Sequence, residues 1–174
     1  FAEWLAHKIV IDTFPELSAE LDLPQLSSLS DDNVSTQQPI RRMVKSKADA
    51  DSLGNLAYSK GNAILNMVEQ YAGEEVFRQA VIAYLKAFAF KNATLADFVS
   101  HIEQASGKKL SGFFESFLHQ PGFPLLSIQT KNNSILIAQQ PFGGDENHQK
   151  MLWQLPLMIS FLTDDGVLTK KALL

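Results

Sequence analysis

A chain of 174 residues with 45% apolar side chains is long enough to bury a core, and its net charge of −4 argues against a nucleic-acid or anionic-membrane surface. With no cysteine, it can form neither a disulfide framework nor a thiolate zinc site. No apolar run nears the roughly 20 residues of a membrane-spanning helix.

The first stretch, FAEWLAHKIVIDTF, has helical spacing from its first residue: Phe1, Leu5, Ile9 and Val10 share one face, with Trp4 and Lys8 alongside. No Ser, Thr, Asp or Asn stands ahead of it as a cap. The helix is therefore expected to have been entered partway, and the chain to be a piece of a longer protein. Pro15 stops this helix near Phe14. Residues 17–52 are mixed, and Pro24, Pro39 and the Ser/Asp cluster at 27–36 favour short helical pieces joined by loops. Within them RRMVKSK gathers four positive charges. The acidic ADADS beside it favours a solvated loop or local ion pairs over a polyanion site.

From Ser59 the helical pattern returns, with Ile64, Met67, Val68 and Tyr71 on one face and Gly73 as the stop. EEVFRQAVIAYLKAFAF follows with acids in its first turn, which suit the positive end of the helix dipole. TLADFVSHIEQASG opens on Thr94 as N-cap with Asp97 three residues later, and Gly107 ends it. KLSGFFESFLHQPG predicts a shorter aromatic helix closing at Pro121 and Gly122. Glu69, Glu74, Glu75 and Glu103 are expected as surface charges of these helices. After Phe123 the periodicity changes. PLLSIQT, SILIAQQ and LPLMISFLT are short apolar or alternating runs, and Asn132-Asn133 and Asp165-Gly166 carry hairpin chemistry, the last strand having barely begun. The fold class expected is α+β: an antiparallel helical array over 1–122, then antiparallel β structure over 123–174.

Chemistry is harder to place. His7, His101, His119 and His148 are scattered, and none sits in an H-E-x-x-H or comparable spacing, so this chain assembles no catalytic zinc site of its own. There is no G-x-S-x-G and no Gly-rich phosphate loop. Tyr58, in NLAYSKGNAIL, leaves two readings open. It could be a tyrosine packed at a helix start with its hydroxyl tied to a backbone group. The less common alternative is a neutral hydrogen-bond donor to an oxyanion, a role worth about 10²–10³ in rate when preorganised.

Several stretches, in order and at plausible spacing, resemble one family. FAEWLAH at the start, PIRRMV at 39, YSKGNAIL at 58, the run from EEVFRQ to GKKL, and FLHQPGFPLLSI at 117 resemble the aminopeptidase N family of gluzincin zinc metallopeptidases. In that family one helix carries H-E-x-x-H, and a second carries the third zinc ligand in a motif of the form N-E-G-F-A. The resemblance implies the C-terminal part of a thermolysin-like catalytic domain over 1–122 and the start of a β-sandwich over 123–174. It sets Phe1 and Ala2 just after the third ligand, so the zinc ligands are expected upstream of Phe1 and none within this chain. It makes Tyr58 the catalytic tyrosine that hydrogen-bonds the tetrahedral intermediate, and Lys60 and Gly61 motif residues that shape the turn with no chemistry of their own. It implies a zinc aminopeptidase acting on N-terminal peptide bonds as the parent, with peptide substrate and the rest of the parent polypeptide as partners, and an inactive isolated chain. Gln38 stands where the family often has histidine, Phe117 where it usually has tryptophan, and LGNLA where an aspartate-containing lead is common. Substrate preference therefore does not carry over. The alternative is a non-catalytic helical module that binds a protein or peptide.

Overall fold

The computed structural model describes residues 1–17, 29, 32, 38–51, 54–131, 134–143, 150–163 and 166–174. Pro24, most of the Ser/Asp cluster, Asn132, Asn133, His148 and Asp165 lie outside the described residues. The architecture is α+β, helices first and antiparallel strands after residue 123. The chain forms two compact units, Phe1–Ile64 with Glu115–Trp153, and Leu65–Phe114 with Gln154–Leu174.

In the first unit, α1 (Ala2–Thr13) has no side-chain cap and runs into a 3-10 turn at Pro15–Leu17. Its inward face is not the expected one: Trp4 is buried, whereas Phe1, Leu5 and Ile9 are exposed. The reason lies in the neighbours of the indole on its own helical face. Lys8 reaches over the Trp4 ring at 5.9 Å, and the His7 ring nitrogen meets the Asn62 amide at 3.2 Å. The largest apolar group and a polar tether thus turn in together, and the smaller aliphatic stripe turns out.

The basic RRMVKSK stretch runs over the surface as expected. Arg42 bonds the Gln38 side chain and the Asp49 carbonyl, and the Lys45 amide donates to the Asp49 carboxylate. Asp49 itself belongs to the short α2 (Lys47–Asp51). Helix α3 (Leu56–Ala72) starts three residues earlier than Ser59, after Gly54 turns the chain at φ +50°. The paired strands β1 (Pro124–Lys131) and β2 (Ser134–Pro141) match Lys131 with Ser134, the register of a two-residue hairpin. At their open end Phe123 and Phe142 stack at 4.9 Å between ring centres. The Gln139 amide pairs with both the backbone N–H and the carbonyl of Trp153, at 2.9 Å each.

In the second unit, α4 (Glu74–Ala87) packs on α5 (Leu95–Ser106) through edge-to-face rings, Phe98 meeting Phe77, Tyr84 and Phe114. The Thr94–Asp97 capping box is formed, and Gly107 ends α5 in the left-handed region at φ +66°. Glu74 and Glu75 are exposed as expected. Glu69 is not: it is buried on α3, because that helix also turns Leu65 and Val68 inward and keeps only a narrow polar side. Glu103 is not a free surface charge either. One of its oxygens accepts from the Leu110 and Ser111 amides and the Ser111 hydroxyl at 2.6–2.8 Å, capping α6 (Ser111–Leu118) from a distance. Strands β3 (Pro156–Thr163) and β4 (Gly166–Leu173) pair along eight residues, so the last strand runs further than the bare start expected of it. Lys171 on β4 donates to the Gln70 and Tyr71 carbonyls. It brings a cation to the end of α3, whose last turn has no basic residue of its own.

The Ser111 hydroxyl, with the two amides, holds the Glu103 carboxyl below its ordinary value. A carboxylate depressed in the folded state contributes stability that is full above its unfolded pKa and is lost as pH falls through the lowered folded one. Glu103→Ala should cost about 1–2 kcal/mol at neutral pH, and the deficit should shrink in acid. Urea denaturation at pH 7 and pH 3 checks this. An equal deficit at both pH values would contradict the capping role.

Candidate functional site

The first turn of α3 is built by one carbonyl. The Asn55 oxygen accepts from the amides of Tyr58 and Ser59, both at 3.0 Å, and from the Ser59 hydroxyl at 3.3 Å. Residues two apart on a helix point to nearly opposite sides. Tyr58 and Lys60 therefore part company within a single turn. Lys60 goes inward and is 3% exposed, while Tyr58 goes outward and is 64% exposed.

Lys60 carries the polar centre of this unit. Its ammonium has three donors, and each finds an acceptor: the Asp32 carboxylate at 2.8 Å, the Gly122 carbonyl at 3.0 Å and the Gln120 carbonyl at 3.3 Å. The other Asp32 oxygen accepts from the Gly122 amide at 2.9 Å. Gly122, at φ +74°, thus offers its carbonyl to the lysine and its N–H to the aspartate. A left-handed residue is what the turn needs here, and glycine supplies it without strain. Burial holds the Lys60 ammonium below its ordinary pKa, and Asp32 works against that shift. Close by, the Arg41 amide donates to the Leu118 carbonyl at the end of α6.

Lys60 and Gly61 were expected to shape a turn without chemistry of their own. Instead both lie inside α3, and Lys60 joins three chain segments through charge and hydrogen bonds. Gly61 relieves no crowding, since a Cβ there would meet nothing within 4 Å. It sits one turn after Tyr58 on the same helical face and leaves the flank of the phenol open.

Tyr58 is not the packed tyrosine with a backbone-tied hydroxyl. Its amide donates to the Asn55 carbonyl, and its hydroxyl has no hydrogen-bond partner among the described residues. A half-bare phenol on a firmly seated turn can donate to an incoming oxyanion at no charge cost.

The zinc implied by the resemblance does not fit the residues described here, where no three His, Asp or Glu side chains converge. The described histidines are separately occupied: His7 by Asn62, His101 by the Asp97 carbonyl and the Tyr84 and Phe88 rings, His119 by Glu115. No helix of the described residues is long and apolar enough to cross a membrane.

Sequence reasoning missed Asp32 and the lysine's role. The contacts join residues about 60 and 90 positions apart, which no periodicity reports. The usable signal was that YSKG and QPGF, two stretches of one resemblance, proved to be the two ends of one contact.

The comparisons with known proteins agree on one group. The family model described as the Peptidase family M1 domain matches residues 1–117. A probable aminopeptidase 1 of Sulfurisphaera tokodaii is 31% identical over 161 residues, covering 90% of this chain and 20% of its own length. A leucyl aminopeptidase of Saccharolobus solfataricus is likewise 31% identical with the same coverage. Tricorn protease-interacting factor F2 of Thermoplasma acidophilum is 32% identical over 148 residues, 84% of this chain and 18% of its own length. The chain spans about a fifth of the length of these relatives.

Removing one partner of a buried ion pair leaves the other charge uncompensated, at a typical cost of about 3–5 kcal/mol. Lys60→Met should therefore destabilise the protein by about that much, whereas Lys60→Met combined with Asp32→Asn should recover a substantial part. Denaturant titration of the two variants decides it. Equal losses would mean that the charge pair is not what holds this unit.

Proposed function

Because this chain belongs to peptidase family M1, we propose that it is part of a zinc-dependent aminopeptidase that hydrolyses N-terminal peptide bonds. The zinc and its ligands would come from parent sequence upstream of Phe1, and the metal would supply the Lewis acid of the reaction. Residues 1–122 would complete the catalytic domain, and 123–174 would open a β-sandwich domain. The partners would be a peptide substrate and the rest of the parent polypeptide.

In this reading the part played by the present chain is that of Tyr58. Attack on a peptide carbonyl turns a neutral oxygen into an oxyanion. A donor already aimed at that position stabilises the transition state more than the ground state. A phenol suits the task because it donates a proton-bearing oxygen while adding no charge of its own. What supports the role is that the Tyr58 hydroxyl is exposed and without a partner among the described residues, two positions from a lysine that is wholly engaged. Aminopeptidase names among the relatives support the reaction class.

In the full-length parent, Tyr58→Phe should lower kcat by about 10²-fold or more with little change in KM. Steady-state kinetics on an aminoacyl chromogenic substrate read this out, and a loss confined to KM would count against the oxyanion role. The same assay on the 174-residue chain alone is expected to give no turnover.

A further inference from the structure

We propose that Lys60 and Asp32 are positioning residues for Tyr58, fixing the first turn of α3 so that the phenol is held in its donating place. The proposal rests on the reading of Tyr58 as the oxyanion donor. It goes beyond that reading by assigning a task to two buried residues that never touch substrate.

The argument starts from where Tyr58 stands. It is the third residue of α3, and the ends of helices fray because their backbone groups lack a full set of partners. An exposed tyrosine there has little packing of its own to hold it. An oxyanion donor, however, must be held to within about 0.5 Å, and a 1 Å misplacement can cost about 10²-fold in rate. Something other than Tyr58 must supply that rigidity.

The Lys60 clasp is the strongest tie in this turn. Its ammonium and the Asp32 carboxylate are each less than 5% exposed, and the pair is closed at 2.8 Å. Both remaining lysine donors end on the carbonyls of Gln120 and Gly122, and the second Asp32 oxygen holds the Gly122 amide. With all three ammonium donors used, the lysine has one geometry rather than several. Because Lys60 is two residues from Tyr58 on the opposite side of the helix, it can hold the backbone beneath the phenol without occupying the space in front of it.

Asp32→Asn opens the clasp with almost no change of shape, though it leaves the Lys60 charge without its carboxylate. Lys60 and Gly122 now use separate Asp32 oxygens, and the amide keeps only one acceptor oxygen, so the two bonds cannot both persist in their present geometry. Lys60→Met with Asp32→Asn is a second variant that leaves no buried charge unpaired. Both are made in the full-length zinc-loaded enzyme, alone and with Tyr58→Phe, and rates are normalised to bound zinc. If the clasp acts through Tyr58, each variant should lower kcat by about 10-fold or more with KM within about 2-fold, and should lower it no further once Tyr58 is Phe. An equal fall in both backgrounds would mean general structural damage and overturn the positioning role. An unchanged kcat in the variants with Tyr58 intact would overturn it as well. If Tyr58→Phe alone leaves kcat untouched, the oxyanion reading fails first and the positioning role with it.

Discussion

The buried ammonium of Lys60 is the constraint on which the first unit depends. A charge taken out of water must be met on every side, and here it is met by a carboxylate and two carbonyls from segments distant in sequence. Those partners cannot be supplied locally. To bury Lys60 at all, the chain must bring Asp32, the start of α3 and the Gln120–Gly122 turn to one point. Buried ion pairs add little net stability over an apolar alternative, and their best-attested use is to select one arrangement. The arrangement selected here includes the left-handed Gly122, from which the chain enters the β1–β2 hairpin two residues later.

The same turn of helix serves two ends because helical geometry separates them. Position 60 holds and position 58 presents. Gly61 contributes by what it lacks, leaving bare the face on which Tyr58 stands. A glycine inside a helix costs roughly 0.5–1 kcal/mol relative to alanine, and no crowding in the structure requires one there. Open space beside a phenol without a partner among the described residues fits a place where something else must approach. In the proposed reaction that something is a peptide carbonyl on its way to an oxyanion.

Much of the fold was legible in the residues. Thr94 with Asp97, Gly107 as a stop, and the change of period after Phe123 rest on local chemistry, and each is where that chemistry put it. Several misreadings concern polar residues: Glu69 and Glu103 were expected as surface charges, and Lys60 as a turn residue without chemistry. Glu69 is buried, Glu103 caps a helix beyond its own, and Lys60 is the centre of a charge cluster. In each case tertiary partners outweighed the local rule. The stripe of Phe1, Leu5 and Ile9 failed in the opposite sense, because Trp4 and the His7–Asn62 bond determine which side of α1 turns in. As for the candidate site, spacing could nominate Tyr58 but not distinguish a tied hydroxyl from a free one. That distinction is a matter of exposure and partners, which appear only in three dimensions.

The central claim is that the Tyr58 hydroxyl meets the oxyanion. A crystal structure of the full-length protein with a phosphinate analogue of the tetrahedral intermediate tests it most directly. The account predicts the Tyr58 oxygen about 2.7–3.1 Å from a phosphinate oxygen, with the Lys60 clasp intact beneath it. A phenol turned away from the analogue, or held by a protein carbonyl instead, would contradict it.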